Sequence, residues 1–404
     1  MTPIGRFVIG GAGTLFRGGR LYWGWISVLW AVILVGGVFY ARQVALGLVV
    51  TGMTDQVSWG AYIANFTYLV GVAAAAVMLV IPAYVFHRED IKHVVLVGEG
   101  AAVAAVVMAI LFVVVDLGRP DRLWHMIPLL GRFNFPASLL AWDVFVLNGY
   151  LVLNLAIPFY ILFSHYRGRE PRVRAYFPWV LLSIVWAISI HTVTAFLFSA
   201  NAGRPFWHTA VLGPRFLASA FTSGPALILL SLQVIERVTP FRVRSAVIDF
   251  LGLVVTVALQ INLFLVGVEM FTEFYAATEE NHAATYLYFG LHGARRLVPW
   301  IWSAIALNVV AVTVLTIHPL RRRRWLLNGA CVLAIVGVWI EKGMGLIVPG
   351  FVPTPLGEIL EYAPTWSEIF VSFGIWAFGM LVFTLLTKVA VAIELGQLHD
   401  RVGP

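Results

Sequence analysis

The stretch from Asp116 to Asp143, DLGRPDRLWHMIPLLGRFNFPASLLAWD, joins two long apolar runs. It gathers Asp116, Arg119, Asp121, Arg122, His125, Arg132 and Asn134 into one connection, and Asp143 follows inside the next run. His191 lies in a later apolar run. A carboxylate within a membrane span costs roughly 2.5–3.5 kcal/mol on insertion scales, so Asp143 calls for a compensating role. The chemistry that needs acids and bases at membrane depth is quinone chemistry. Reducing a quinone to a quinol takes up two protons, so a carboxyl or an imidazole must reach the carbonyl oxygens. His125 and Asp143 are therefore the candidate catalytic acid/base groups. The structural alternative has Asp143 pairing with Arg119 or Arg132 to pin the loop, and His191 serving as a satisfied interhelical hydrogen-bonder. The convergence of the set at one depth favours function.

Other residues fall into place around these. Asp116, Arg119, His191, Asn65 and Asn134 are candidate quinone-binding groups, the asparagines as hydrogen-bond donors to a carbonyl. Arg119, Arg122, Arg204 and Arg215 suit ion pairs that hold the loops on Asp116 and Asp121. Glu99, Glu269 and Asp249 are candidates for a proton path, with Glu99 the deeper of the two that start from the inner side. No metal site is expected. The single cysteine, Cys331, excludes disulfides, a Cys-ligated iron–sulfur cluster and a Cys-rich zinc site within the chain. Of ten histidines only His191 sits well inside a span, so the axial pairs of a di-haem cytochrome are not expected. The glycines at Gly10–Gly13 do not complete a phosphate loop, because position 16 is Phe.

The elements that must position these residues are membrane helices. The 404 residues are 60% hydrophobic and 12% charged, against about 25% charged in soluble chains. Apolar runs long enough to cross ~30 Å of hydrocarbon begin near Tyr22, Trp59, His93, Pro136, Phe177, Ala210, Ser245, Val298, Trp325 and Ser367. About ten spans result: an all-α integral membrane protein of two four-helix bundles plus extra helices. As one polytopic domain it divides into an N-terminal segment (1–21), a first bundle with the quinone site (22–200), a second bundle (201–393) and a tail (394–404). The N-terminus, C-terminus and even-numbered connections carry roughly twice the Lys/Arg of the other side, which makes both termini cytoplasmic by the positive-inside rule. The net charge of +7 thus reports topology rather than a nucleic-acid partner. Asp116, Asp143, His191, Asn65 and Glu269 then share the outer half, while Glu99 and Asp249 lie on the inner half. The segment Glu341–Glu368, with four prolines, is expected as a turn-rich outer cap. A short echo links Gly118-Arg119-Pro120 before Trp124-His125 to Gly203-Arg204-Pro205 before Trp207-His208.

Several of these stretches resemble the NrfD family of polysulfide-reductase-type membrane subunits. The resemblance is carried by DLGRPDRLWH (Asp116–His125), NFPASLLAWD up to Asp143, HTVTAFLFSANAGRPFWHTAVLGPRFLASAF (His191–Phe221), WIEKGMGLIVPGF and GEILEYAPTWSE (ending at Glu368). A ten-helix chain with this ending is most similar to the DsrP-type branch found in sulfite-reduction-linked transmembrane complexes. The resemblance implies a subunit without haem or iron–sulfur cluster that binds menaquinone or ubiquinone in its first bundle, near the outer surface. It implies a periplasmic, ferredoxin-like iron–sulfur partner with further redox subunits, and a place in the bacterial cytoplasmic membrane. On that pattern His125 and Asp143 are the acid/base pair, with Asp116, Arg119 and His191 nearby. The competing expectation is a secondary transporter or proton-conducting channel, which would place its binding groups near the midplane.

Overall fold

A computed structural model describes residues 2–127, 130–275, 281–354 and 356–400. Residues 276–280 of the outer connection, Pro355 of the expected cap and residues 401–404 of the tail lie outside it. After a short helix α1 (Pro3–Leu15) come, among the described residues, ten helices long and apolar enough to cross a membrane. The first five are α2 (Arg20–Leu46), α3 (Ala61–Val85), α4 (Glu89–Asp116), α5 (Leu139–Tyr166) and α6 (Val173–Ser199). They are followed by α7 (Leu212–Val238), α8 (Ser245–Tyr275), the short α9 (His282–Tyr288), α10 (Val298–Thr316), α11 (Arg324–Phe351) and α12 (Trp366–Glu394). Each spanning helix starts within a few residues of the apolar run that predicts it.

Helix pairing sorts these elements. Helices α3 to α6 pack on one another, as do α7, α8, α10 and α11, and α3 joins the two sets by packing on α7. The remaining two, α2 and α12, pair with each other and lean on α4. Glycine permits that last contact: a Cβ at Gly36 would collide with the backbone of Gly374. α12 begins with a capping box, in which Thr365 and Glu368 exchange side-chain-to-backbone hydrogen bonds that satisfy otherwise orphaned N–H groups. Glu368 also accepts from the Tyr362 hydroxyl at 2.5 Å and from Gly52 N–H at 2.7 Å, fastening three segments at one end of the molecule.

The two ends of the chain meet at the same face. Arg6 pairs with Asp400 at 3.0 Å, and Arg167, after α5, lies 3.8 Å from the same carboxylate. The connection between α4 and α5 is at the opposite face, called here the far face. The echoed GRP segments share a backbone: Arg119 and Arg204 have φ/ψ of −133°/73° and −130°/83°, and each opens a 3-10 turn.

One expectation about the elements changes. Glu341 and Lys342 do not begin an outer cap. α11 runs through them, widening to a π-turn at Ile340–Met344, and ends only at Phe351. Both side chains are buried, at 2% and 3% exposure. The span tolerates them because partners from three other helices satisfy Glu341.

Candidate functional site

The site is best built from Asp143. Ser138 caps α5 by accepting from Ala141 N–H, and this sets Asp143 in the helix's second turn, facing α6. Its side chain is buried, and Oδ1 accepts a hydrogen bond from the Thr194 hydroxyl at 2.8 Å. Neither Arg119 nor Arg132 is its partner. Arg119 instead forks onto Asp121 at 2.8–3.0 Å on the exposed loop, which holds the Asp121 carboxyl below its usual range.

Asp143 forms part of the wall of a cavity of about 700 Å³ between α4, α5 and α6. Ile110, Val113 and Leu117 supply one side, and Gly149, Leu153 and Trp186 the other. The 3-10 turn after α4 closes the far end with Leu123, Met126 and Ile127. Phe145 and Val152, on its edge, are exposed on the flank of the bundle, so the cavity opens sideways. Asp143 and Asn148 are the strongly polar side chains in an otherwise apolar lining. The volume falls in the range of small-molecule sites, and the lining suits a flat apolar ring with a few oxygens. Among the described residues no three His, Cys, Asp or Glu side chains are grouped to hold a metal ion.

The other candidates do not line this cavity. His191 is fully buried one turn before Thr194; its Nδ1 lies 3.1 Å from Ala187 O, and Nε2 has no hydrogen-bond partner. His125 sits on the closing turn, but its ring is exposed at the rim and stacks on Trp124. Asp116 faces away from the cavity, toward Tyr62 and Glu368, with a buried Oδ1 that has no partner. Asn134 is exposed on the loop, where its carbonyl accepts from Ser138 N–H at 2.8 Å. Asn65 ties helices together: its Oδ1 accepts from the indoles of Trp339 and Trp376, both at 3.0 Å, and its Nδ2 donates to Ala61 O. Asp249 is exposed at the start of α8, 3.7 Å from Arg324. Glu99 is 3% exposed, and its Oε2 is buried with no partner.

Glu269 belongs to a cluster that sequence reasoning did not assemble. The Arg215 guanidinium, expected to hold a loop, reaches inward to Glu269 and to Glu341, the latter at 3.2 Å. Asn262 and Asn308 also donate to Glu341, at 3.0–3.2 Å. Beside it Lys342 is buried over the Phe216 ring, 4.2 Å from its centroid, with Phe216 O 3.5 Å away. Lys342 Nζ also lies against α3, where it would stand 3.0 Å from a Cβ at Gly71, so it reaches the first bundle. Two basic and two acidic side chains are thus buried together inside the second bundle. A signal was present: the apolar stretch from Met344 to Val352 continues the span beyond the charged pair.

Comparison with known proteins adds a family match and three relatives. The family model described as polysulphide reductase, NrfD, matches residues 49–353, well over half of the chain. The chain is 26% identical to a putative dimethyl sulfoxide reductase membrane subunit of Halobacterium salinarum, over 94% of this chain and 92% of that protein. It is 22% identical to a selenate reductase subunit of Mesobacillus selenatarsenatis, over 94% and 97% of the two chains. It is also 24% identical to an Hdr-like menaquinol oxidoreductase integral membrane subunit of Archaeoglobus fulgidus, over 92% and 94%.

Proposed function

We propose, from the premise that the chain belongs to the NrfD (polysulphide reductase) family, that it is the quinone- and quinol-interacting membrane subunit of a respiratory electron-transfer complex. The observation that carries the reading is Asp143: a buried carboxylate on the wall of an apolar cavity that opens toward the lipid flank. The relatives named as reductase and oxidoreductase subunits support a redox role, and the one named for menaquinol supports that ligand class.

Bound quinone or quinol supplies a two-electron, two-proton couple, and the chain's residues manage its protons. Asp143 takes or gives a proton at Oδ2, while the Thr194 hydroxyl holds Oδ1 and fixes the rotamer. Leu153, Trp186 and their neighbours exclude water around the ring. His125, at the exposed rim, passes protons to water on the far face. His191 can serve as a second acid/base group through its free Nε2. Glu99 and the Arg215–Glu341–Glu269 cluster offer buried groups through which turnover could be coupled to proton movement. Electrons leave to, or arrive from, an iron–sulfur subunit docked over the far face, with further redox subunits beyond it. On the Lys/Arg bias we read that face as periplasmic and the termini as cytoplasmic, in a bacterial cytoplasmic membrane.

Saturable quenching by a fluorescent quinol analogue tests this reading on the purified complex. Wild type is expected to bind. Asp143→Asn should slow quinol turnover by about 100-fold or more, and Leu153→Trp, which fills the cavity, should abolish binding. His125→Ala should retain binding and lose only part of the rate. Absence of saturable binding by folded wild type would sink the proposal and favour a transporter.

A further inference from the structure

At the face where the termini meet, three helices bring titratable ends together, far from the cavity. Glu394 closes α12, His93 lies in the second turn of α4, and His165 lies in the last turn of α5. His165 Nδ1 is 3.0 Å from Glu394 Oε1, and His93 Nδ1 is 4.0 Å from Oε2. One carboxylate is therefore held between two imidazoles. Their side-chain exposures fall from 62% at His93 through 32% at His165 to 16% at Glu394, a gradient from water into the protein.

The polar groups continue inward. Tyr84, 5% exposed on the π-turn that ends α3, packs in one buried cluster with Val94, Val95, Leu96 and Val97, the turn of α4 that leads to Glu99. Glu99 comes next, with its partnerless Oε2, and Tyr150 of α5 donates its hydroxyl to Ala73 O of α3 at 3.3 Å. Tyr150 adjoins Gly149 of the cavity wall. Along α4 the rise from His93 to Glu99 is only ~9 Å. Lys92 and Glu170 are the other charges that reach His165, and Lys92 itself pairs with Glu89 at 3.6 Å. An ion pair pinning helix ends would account for Glu394 and His165. It would leave unexplained a fully buried Glu99 with a free oxygen, which packing alone disfavours.

We propose that His93, His165 and Glu394 form a proton-collecting mouth that exchanges protons between water at the terminal face and Glu99, by way of Tyr84. For its use in turnover this rests on the quinol reading above, since the cavity is then the source or sink of the protons. Each step moves a proton between oxygen and nitrogen atoms, and no oxidation state changes.

The test needs no quinol. After a photolytic pH jump applied to the full complex, the carboxyl stretch of Glu99 is followed by time-resolved infrared, assigned by its absence in Glu99→Gln. Proton arrival should slow by about tenfold or more in a His93→Gln/His165→Gln double variant, within what positioned proton donors supply, and added imidazole should restore it. His93→Gln alone, at an exposed position that cannot upset folding, should show a smaller slowing in the same direction. Unchanged arrival in the double variant, failure of imidazole to rescue, or a Glu99 band that never responds would each overturn the proposal. Quinol-analogue quenching on the same samples is scored separately. Its failure in wild type would remove the quinone reading while leaving the proton-uptake result standing.

Discussion

Asp143 and Arg215 are the two residues on which burial acts most directly, and it acts differently on each. Asp143 has one side-chain partner, a neutral hydroxyl, so its burial is bearable only if it can be neutralised by a proton. Arg215 has two carboxylate partners and forms the hub of the charge cluster in the second bundle. Arg215→Ala would leave Glu269 and Glu341 buried without their cation. It should destabilise the chain by about 3–5 kcal/mol, read as a lower thermal midpoint in detergent. Arg215→Lys should recover only part of that, since a point charge cannot fork between two acids. A midpoint of Arg215→Ala equal to wild type would mean that the two carboxylates are already neutral. The sequence exposed the unusual placement of Asp143 because a charge stands out in an apolar run. It did not expose Arg215 as a hub, because Glu269 and Glu341 lie 54 and 126 residues away along the chain.

Among the elements, the two sets of four helices carry the cavity and the Arg215 cluster, while α2 and α12 form a pair at their side. That division makes the pair's tight contact separable from the site. Gly36→Leu would force α2 and α12 apart, with an overpacking cost of about 1–3 kcal/mol. Binding of a quinol analogue should stay within twofold of wild type, because α2 and α12 contribute no side chain to the cavity lining. Loss of binding would show that the pair supports α4 from behind. Helix starts were readable from apolar length and from the interfacial aromatics and caps that end each run. The end of α11 was not, because Glu341-Lys342 mimics a span terminus until the partners on α7, α8 and α10 are seen.

For the whole molecule, the prediction concerns sidedness. Cys331 is buried, so it contributes little background to thiol labelling. Leu130→Cys, exposed on the far-face loop, should react with an impermeant maleimide added outside intact cells, and Arg322→Cys should react only after the membrane is opened. The reverse pattern would invert the topology and put the iron–sulfur partner in the cytoplasm. By itself the sequence determined the class of molecule, its ten spans and the far-face neighbourhood of Asp116 to Asp143, because hydrophobic length and isolated charges are local properties that read out in one dimension. It also singled out Asp143, His191 and Glu99 as polar groups in apolar runs. Only the tertiary structure decided what these groups meet: that Asp143 lines a cavity with Thr194 behind it, that His125 stays at the rim, that Asn65 braces two tryptophans, and that Arg215 and Glu341 find each other. Those outcomes depend on helix rotation and pairing, which similar all-round apolar helices leave open in the sequence and which close packing and the matching of buried charges settle in three dimensions.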